Sequence, residues 1–351
     1  MKKIRPYLTT RSLHPENQEA PIHFLHSDHI PGKLFYRRNH FAYPENVSPA
    51  GHLLISGLVR QPYLFRYQDF HSMHSKTITA VLECAGNKRA NFKPAVFGEQ
   101  WEDGAIGEGR WTGVPLHHLF SMTGLSSSAK EVVFEGWDKG ERTDMDGTVP
   151  FARSLPVEKA LHPDTILAYE YNGRPLSFKH GFPLRLIVPQ WYAMSSVKWV
   201  KRITVIDHKF QGPFQSIDYN YYPHPDSDWD KFPVTTTHVN SIIQKPLDYE
   251  ILNTGIHEIK GIAWSGEGEI TAVDISLDGG QTWNQAGLSK PANEQYAWTK
   301  WSIDWEVREP GEYEIRARAS DSAGRTQPAE AFWNRKGYGY NAIQAVHVKV
   351  E

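Results

Sequence analysis

Cys84 is the single cysteine among 351 residues. A thiol used once cannot close a disulfide within the chain, so it either packs as a small hydrophobe or performs chemistry. Its neighbours favour chemistry. Cys84 ends the alternating run Ile78, Ala80, Leu82 and is followed by Ala85-Gly86-Asn87-Lys88-Arg89. Gly86 permits close backbone approach and Asn87 offers an amide. Lys88 and Arg89 raise the local potential, which favours thiolate, the form that attacks or binds a metal. A hydrolase nucleophile would also need a histidine and an orienting group. With 17 histidines in the chain such a partner can always be nominated, so the pattern does not select that reading.

Two more positive clusters stand out. Tyr36-Arg37-Arg38-Asn39-His40 sets two guanidinium groups beside an amide and an imidazole. His180-Gly181-Phe182-Pro183-Leu184-Arg185 leads to Ser195-Ser196-Val197-Lys198-Trp199. Guanidinium forks suit oxyanions and phosphates. The chain as a whole has 38 Lys plus Arg against 40 Asp plus Glu, a net charge of -2. That balance gives no support to a nucleic-acid or membrane-surface binder, so the clusters read as one internal anion pocket. Zinc is disfavoured. His23, His26 and His29, and the pair His71 and His74, have no His-Glu-x-x-His run and no second cysteine beside them, and they read as solvated or hydrogen-bonding side chains. The run Gly104-Ala105-Ile106-Gly107-Glu108-Gly109 resembles a phosphate loop but follows no clear apolar strand and lacks a Lys-Ser/Thr ending. One cysteine also excludes Cys-x-x-Cys-His haem attachment and all-cysteine iron–sulfur clusters.

The elements that must position these groups divide into two regions, as the length of the chain suggests. Residues 1 to about 50 are rich in Pro, His and Asn and read as an extended lead-in. Leu53–Val59, Lys76–Leu82, Glu131–Phe134 and Leu184–Pro189 read as strands, and Val114–Phe120 as a short helix with Pro115 in its first turn and Gly124 at its end. Short helices, strands and long loops together give an α+β class. Beyond about residue 230 the pattern becomes alternation punctuated by turns. Ile270, Val273 and Ile275 precede the hairpin signal Leu277-Asp278-Gly279-Gly280. Trp301, Ile303, Trp305 and Val307 alternate, as do Tyr313, Ile315, Ala317 and Ala319, and Val346, Val348 and Val350 close the chain. Such spacing predicts a β-sandwich, with Trp301 and Trp305 in its core. The boundary is expected within Tyr221–Asp228. No apolar run approaches the roughly 20 residues of a membrane span. Met1–Tyr7 is positively charged, but no apolar stretch or twin-arginine pair follows, so a cytoplasmic protein is expected.

Taken jointly, these motifs resemble the sulfite oxidase family of molybdenum-pterin enzymes. The resemblance rests on Arg38-Asn39-His40, Glu83–Arg89, Gly109–Leu116, His180–Arg185, Ser196–Trp199, Ala263–Gly266, Ser276–Trp283 and Trp333–Gly337, in the family's order from about residue 20 to the end. It implies a sulfite-oxidase-type molybdenum-pterin domain over residues 1–230 and an immunoglobulin-like dimerisation domain over 231–351. It implies one molybdopterin per chain, the metal held by the dithiolene and by Cys84, a soft ligand suited to such a centre. By matching position, Arg38, Asn39, His40, Asp138, His180, Arg185, Ser196, Val197 and Lys198 should hold the pterin and its phosphate. Arg38, Arg89 and Lys336 should neutralise the substrate oxyanion, Tyr219 should donate a hydrogen bond, and Trp101 should wall the pocket. Lys336 departs from the family, whose sulfite oxidases carry arginine there, and lysine keeps the charge but loses the fork. Arg335 beside it should point elsewhere if the segment is a strand.

The implied reaction is oxidation of sulfite to sulfate by oxygen-atom transfer. Electrons would go to a separate acceptor, since nothing reads as an appended haem domain, and the chain would form a homodimer. Two other functions are weighed beside it. One is reduction of nitrate, another oxo-anion or an S-oxide at the same centre. The other is a non-catalytic sandwich-containing binding protein, which metal analysis would separate from an enzyme.

Overall fold

The computed structural model describes residues 7–25, 27 and 29–351. His26 and Met1–Pro6 lie outside the described residues. The first region contains the hairpin β1 (Thr9–Leu13) and β2 (Glu16–Glu19), then β3 (His52–Gly57), β4 (Tyr63–Arg66), β5 (Lys76–Glu83), β6 (Ile106–Pro115), α1 (Leu116–Thr123), β7 (Glu131–Arg142), β8 (Met145–Pro156), α2 (Val157–Ala160), β9 (Ile166–Tyr171), β10 (Arg174–Pro175), β11 (Arg185–Ile187) and β12 (Val200–Ile206). They build two sheets. One has the order β10-β9-β6-β5 with β11 also on β9; the other has the order β4-β3-β12-β7-β8. Within these two sheets only β12 and β3 run parallel. Strands dominate and helices are few. Gly124 ends α1 at φ +70°, as the sequence predicts, but Val114 and Pro115 close β6, and Pro115 is the N-cap of α1 rather than a first-turn residue.

A hairpin of β13 (Asn220–Tyr221) and β14 (Phe232–Pro233) spans the expected boundary. The second region holds β15 (Asn240–Lys245), β16 (Glu250–Leu252), β17 (Gly255–Trp264), β18 (Ile270–Ser276), β19 (Asn284–Gln285), β20 (Gly287–Ser289), β21 (Thr299–Val307), β22 (Gly311–Asp321) and β23 (Gln344–Val350). The sheets β15-β17-β21-β20 and β16-β23-β22-β18-β19 face each other across a core of Ile259, Val273, Ile275, Trp301, Trp305, Ile315 and Val346. A bulge between Ile270 and Ala272 accounts for the broken spacing of Ile270, Val273 and Ile275.

One expectation changes and two readings left open are resolved. The lead-in is not merely extended: β1 and β2 fold back on Arg37, and Asn17 and Glu19 are buried. Their burial is polar, so no hydrophobic period could reveal it. The glycine run is not a loop for phosphate but the approach to and start of β6. A Cβ on Gly107 would lie 2.7 Å from the Phe35 ring, and one on Gly109 would lie 2.1 Å from the Tyr171 ring. The glycines therefore let two aromatic rings, edge to face at 78°, approach the strand backbone closely. Thirdly, Trp333–Gly337 is a turn rather than a strand.

The two regions share a core. Ile78, Ala80, Leu82, Cys84, Trp101 and Trp111 pack with Ile242, Ile262, Trp264 and Trp298 of the sandwich. The Cys84 end of β5 is thus built into the junction. Among the described residues no helix is long and apolar enough to cross a membrane.

Gly109→Ala is expected to destabilise the fold by about 2 kcal/mol through overpacking against Tyr171. Chemical denaturation measures this, and an unchanged midpoint would contradict the packing role.

Candidate active site

Cys84 leaves β5 at the floor of a cleft lined by Tyr36, Arg38, His40, Asp138, Arg185 and Tyr219 among others. It is buried, and burial pushes its thiol pKa up, against the opposing pull of Arg38 and Arg89. The loop after it is tightly fixed. Asn87 N–H donates to the Cys84 carbonyl, and the Asn87 side chain accepts from Ala105 N–H and donates to Glu83. Lys88 takes φ +63°, a left-handed conformation that is costly for a non-glycine residue. Its side chain does not raise the potential at the thiol. It runs into the sandwich, donating at 2.8 Å to Asn240 Oδ1 and to the Ser241 carbonyl. Glu83 accepts from Trp264 Nε1 at 2.8 Å, and burial raises its pKa to about 7. The second region therefore holds the thiol's loop on both sides of Cys84.

Cations line the rest of the cleft. Arg38 and His40 come from the segment after β2, Lys179 and His180 from the turn Phe178–His180, Arg185 from β11, and Ser196, Val197 and Lys198 from the turn before β12. Trp199, at φ +50°, bends that turn inward. Its ring lies 4.1 Å from the Lys198 ammonium. Lys198 donates to the Arg38 carbonyl at 3.2 Å and to Asn39 Oδ1. Burial lowers the Lys198 pKa, offset by Asp138. Asp138, also in the lining, is raised by burial, and its Oδ1 has no hydrogen-bond partner. Arg185 lies 5.3 Å from the Trp111 ring, donates to the His180 carbonyl and leaves Nε unpartnered. His180 is held near pKa 3 by burial and by Arg185. It is neutral, so Nε2 donates to the Phe35 carbonyl and Nδ1 accepts from Ser177.

His40 and Tyr219 form the opposite wall. Burial, then Arg38, pull the His40 pKa well down, so the ring is neutral. An arginine only donates. Arg38 Nη2 lies 3.2 Å from His40 Nδ1 and 3.4 Å from Nε2; the shorter contact makes Nδ1 the acceptor and places the proton on Nε2. Nε2 then donates to Tyr219 Oη at 2.7 Å. The Tyr219 phenol, its pKa raised by burial, keeps its own proton free to donate into the cleft.

Other expected residues sit elsewhere. Asn39 is buried beneath Arg38, where it orients Lys198. Arg89 spends its fork on the carbonyls of Lys336, Gly337 and Glu99 and lies 5.1 Å from the Tyr338 ring. It braces the Cys84 loop and does not line the cleft. Trp101 is fully buried in the shared core behind Cys84, away from the lining. Lys336 is half-buried and does not line the cleft; its ammonium lies 5.9 Å from the Tyr222 ring, and its carbonyl accepts from Arg89 Nε. Arg335 does point elsewhere, pairing with Asp228 at 2.5 Å. Among the described residues no group of three His, Cys, Asp or Glu side chains could hold a metal. His71 instead packs on Tyr169 and His74 near His118.

Sequence reasoning missed Glu16, which accepts from Lys179 at 2.9 Å and Arg37 at 3.1 Å. Burial alone would raise its pKa, but Tyr43, Lys179 and Arg37 hold it below the usual carboxylate range. It also missed Phe151 and Met194 in the lining. A lone acid in a polar hairpin and scattered apolar residues carry no motif.

Residues 40–214 match the oxidoreductase molybdopterin binding domain, and residues 231–351 match the Mo-co oxidoreductase dimerisation domain. The chain is 34% identical over 367 residues to the mitochondrial sulfite oxidase of Mus musculus, covering 98% of this chain and 66% of that protein. It is 33% identical over 364 residues to the sulfite oxidase of Arabidopsis thaliana, covering 95% of this chain and 91% of that protein. It is also similar to an inducible nitrate reductase of Glycine max, 34% identical over 96% of this chain and 41% of that protein. The chain thus spans just under two thirds of the mouse relative. Among solved structures, the sulfane dehydrogenase SoxCD from Paracoccus pantotrophus superposes with a TM-score of 0.83 at 29% identity, covering 97% of this chain and 87% of that one. Domain matches that run from the His40 wall of the cleft to the end of the sandwich, together with relatives that match nearly the whole of this chain, establish that the chain belongs to the sulfite oxidase family of molybdopterin-binding oxidoreductases.

Proposed function

We propose that this chain oxidises sulfite to sulfate at a Cys84-ligated molybdenum centre and passes the electrons to a separate acceptor. The observation that carries this reading is charge. Among the described residues, neither Arg38, Arg89, Arg153 nor Arg185 has a carboxylate at ion-pair distance. Buried cations without counterions are costly, and anions in the cleft would relieve that cost.

The cleft suits a molybdenum-pterin group. Asp138 Oδ1 and Arg185 Nε are orphaned in its wall, an acceptor suited to ring N–H groups and a donor suited to phosphate. Cys84 supplies the soft ligand. When bound, the group supplies a two-electron redox couple and oxygen-atom transfer. The protein holds its phosphate with Arg185 and Lys198, its ring with Asp138 and Ser196, and the substrate with Arg38. Tyr219 directs its proton at a substrate oxygen while His40 fixes the phenol's orientation. Arg89, Trp101 and Lys336 fall to supporting roles in this reading: the first two brace the thiol loop, and the third lies outside.

The same reading takes residues 1–230 as an α+β catalytic domain and residues 231–351 as an immunoglobulin-like sandwich. It takes the protein as a homodimer. Exposed apolar side chains on the sandwich, Tyr249, Ile251 and Ile256, support a partner copy there.

With an artificial acceptor, kcat/KM for sulfite oxidation is expected to exceed that for nitrate reduction by more than about tenfold. The reverse order would assign a reductase. Tyr219→Phe is expected to lower sulfite kcat/KM by about 100-fold, the cost of one pre-organised donor, with the melting temperature little changed. A loss under twofold would remove Tyr219 from the mechanism.

A further inference from the structure

Strand β8 places Phe151 and Arg153 on the same face, two residues apart. Phe151 lines the cleft and stacks 5.4 Å from His40. Arg153 is 1% exposed. Its guanidinium lies 5.3 Å from the centre of the Tyr219 ring. Nη1 donates to the Phe214 carbonyl, at the start of the π-helical turn Phe214–Asp218 that leads into Tyr219, and Nε has no partner.

The acids around Arg153 are already engaged. Asp218 pairs with Arg142 at 2.6 Å. Glu131 accepts from Ser154 Oγ at 2.7 Å and from Phe210 N–H at 2.9 Å. Burial lowers the Arg153 pKa only to about 10, so the group is charged at neutral pH. Side chains of this type are almost never buried without a partner. A purely structural contact to one carbonyl would not require the charge, since a neutral amide can donate there equally well.

Neither Lys336 nor Arg89 lines the cleft, and Arg89 is committed to carbonyls. Among the cations that line the cleft, Arg38 is the one in contact with the His40–Tyr219 wall, and one further cation lies behind the phenol. We infer that Arg153 is a positioning residue for the oxyanion: it seats the Tyr219 ring, and its buried charge acts through that phenol on the bound anion. A cation over an aromatic face draws on the ring's electrons, which strengthens the O–H as a donor toward the cleft. This inference rests on the oxyanion reading above.

The test compares Arg153→Gln, which keeps a donor for the Phe214 carbonyl without charge, with Arg153→Lys, which keeps the charge. Four quantities are read on cofactor-loaded protein: sulfite KM and kcat, the sulfate dissociation constant by titration calorimetry, and the melting temperature. The expected result is a roughly tenfold weaker sulfate affinity and a similarly raised sulfite KM for Arg153→Gln, with kcat less affected and Arg153→Lys within about threefold of the parent at pH 7. In a Tyr219→Phe background the effect of Arg153→Gln on sulfate affinity should shrink, because the coupling runs through the phenol. Equal sulfate affinity in the parent and both variants, or equal loss in both with lowered melting temperature, would overturn the inference in favour of simple packing.

Should Arg153→Gln not fold, Arg153→Lys decides alone. A buried lysine titrates lower than arginine, with Tyr219, Tyr338, Asp218 and Glu131 as the ionisable groups facing it. Its sulfate affinity should therefore fall between pH 7 and pH 9 more steeply than that of the parent. Parallel profiles overturn the inference. A parent protein that neither turns over sulfite nor binds sulfate would instead sink the oxyanion reading itself, so the two failures are distinguishable.

Discussion

Positive charge buried without counterions is the constraint on which this molecule depends. Arg153 and Arg185 are almost wholly buried, Arg38 and Lys198 line the same cleft, and the carboxylates nearby are either engaged elsewhere or, like Asp138, turned into the cavity with an oxygen unpartnered. Effective desolvation penalties of several kcal/mol per ion make such a grouping costly to fold. The surrounding architecture offsets that cost with apolar burial: two sheets, a sandwich and a shared tryptophan-rich core. The site is thus pre-organised for anions before any anion arrives, the arrangement in which fixed charges and dipoles act most strongly.

The second region is more than an appendage for assembly. Trp264 and Asn240 grip Glu83 and Lys88, the residues that bracket the Cys84 turn. Arg89 ties the same turn to the Lys336–Gly337 carbonyls. Truncating Trp264 would leave a buried Glu83 oxygen unsatisfied, a defect of about 1–3 kcal/mol located one residue from the thiol. Position at the thiol is therefore set by contacts that cross the junction between regions, and the catalytic region alone would lack them.

Much of this was legible in the chain. Cys84 at the end of an alternating strand, the Arg38-Asn39-His40 run and the Ser196–Trp199 turn all converge on one cleft, because each sits where an element ends and a side chain can turn inward. The sandwich was legible from its alternation, and Trp301 and Trp305 are core as that period implies. What failed to show was direction. Lys88 and Arg89 follow the thiol in sequence, yet a left-handed residue at position 88 sends one into the sandwich and the other onto carbonyls. Lys336 stands at a family position, but the turn at 335–336 leaves it out of the cleft lining. Arg153 and Glu16 belong to no motif. Their roles arise from a sheet face and a polar hairpin, which one-dimensional spacing does not encode.

The most direct measurement is X-ray absorption at the molybdenum edge on the parent protein and on Cys84→Ser, prepared with equal pterin content. A thiolate from Cys84 on the metal predicts one sulfur scatterer fewer in the variant, replaced by a lighter atom. An identical sulfur shell in both proteins would contradict it and return Cys84 to the role of a buried packing residue.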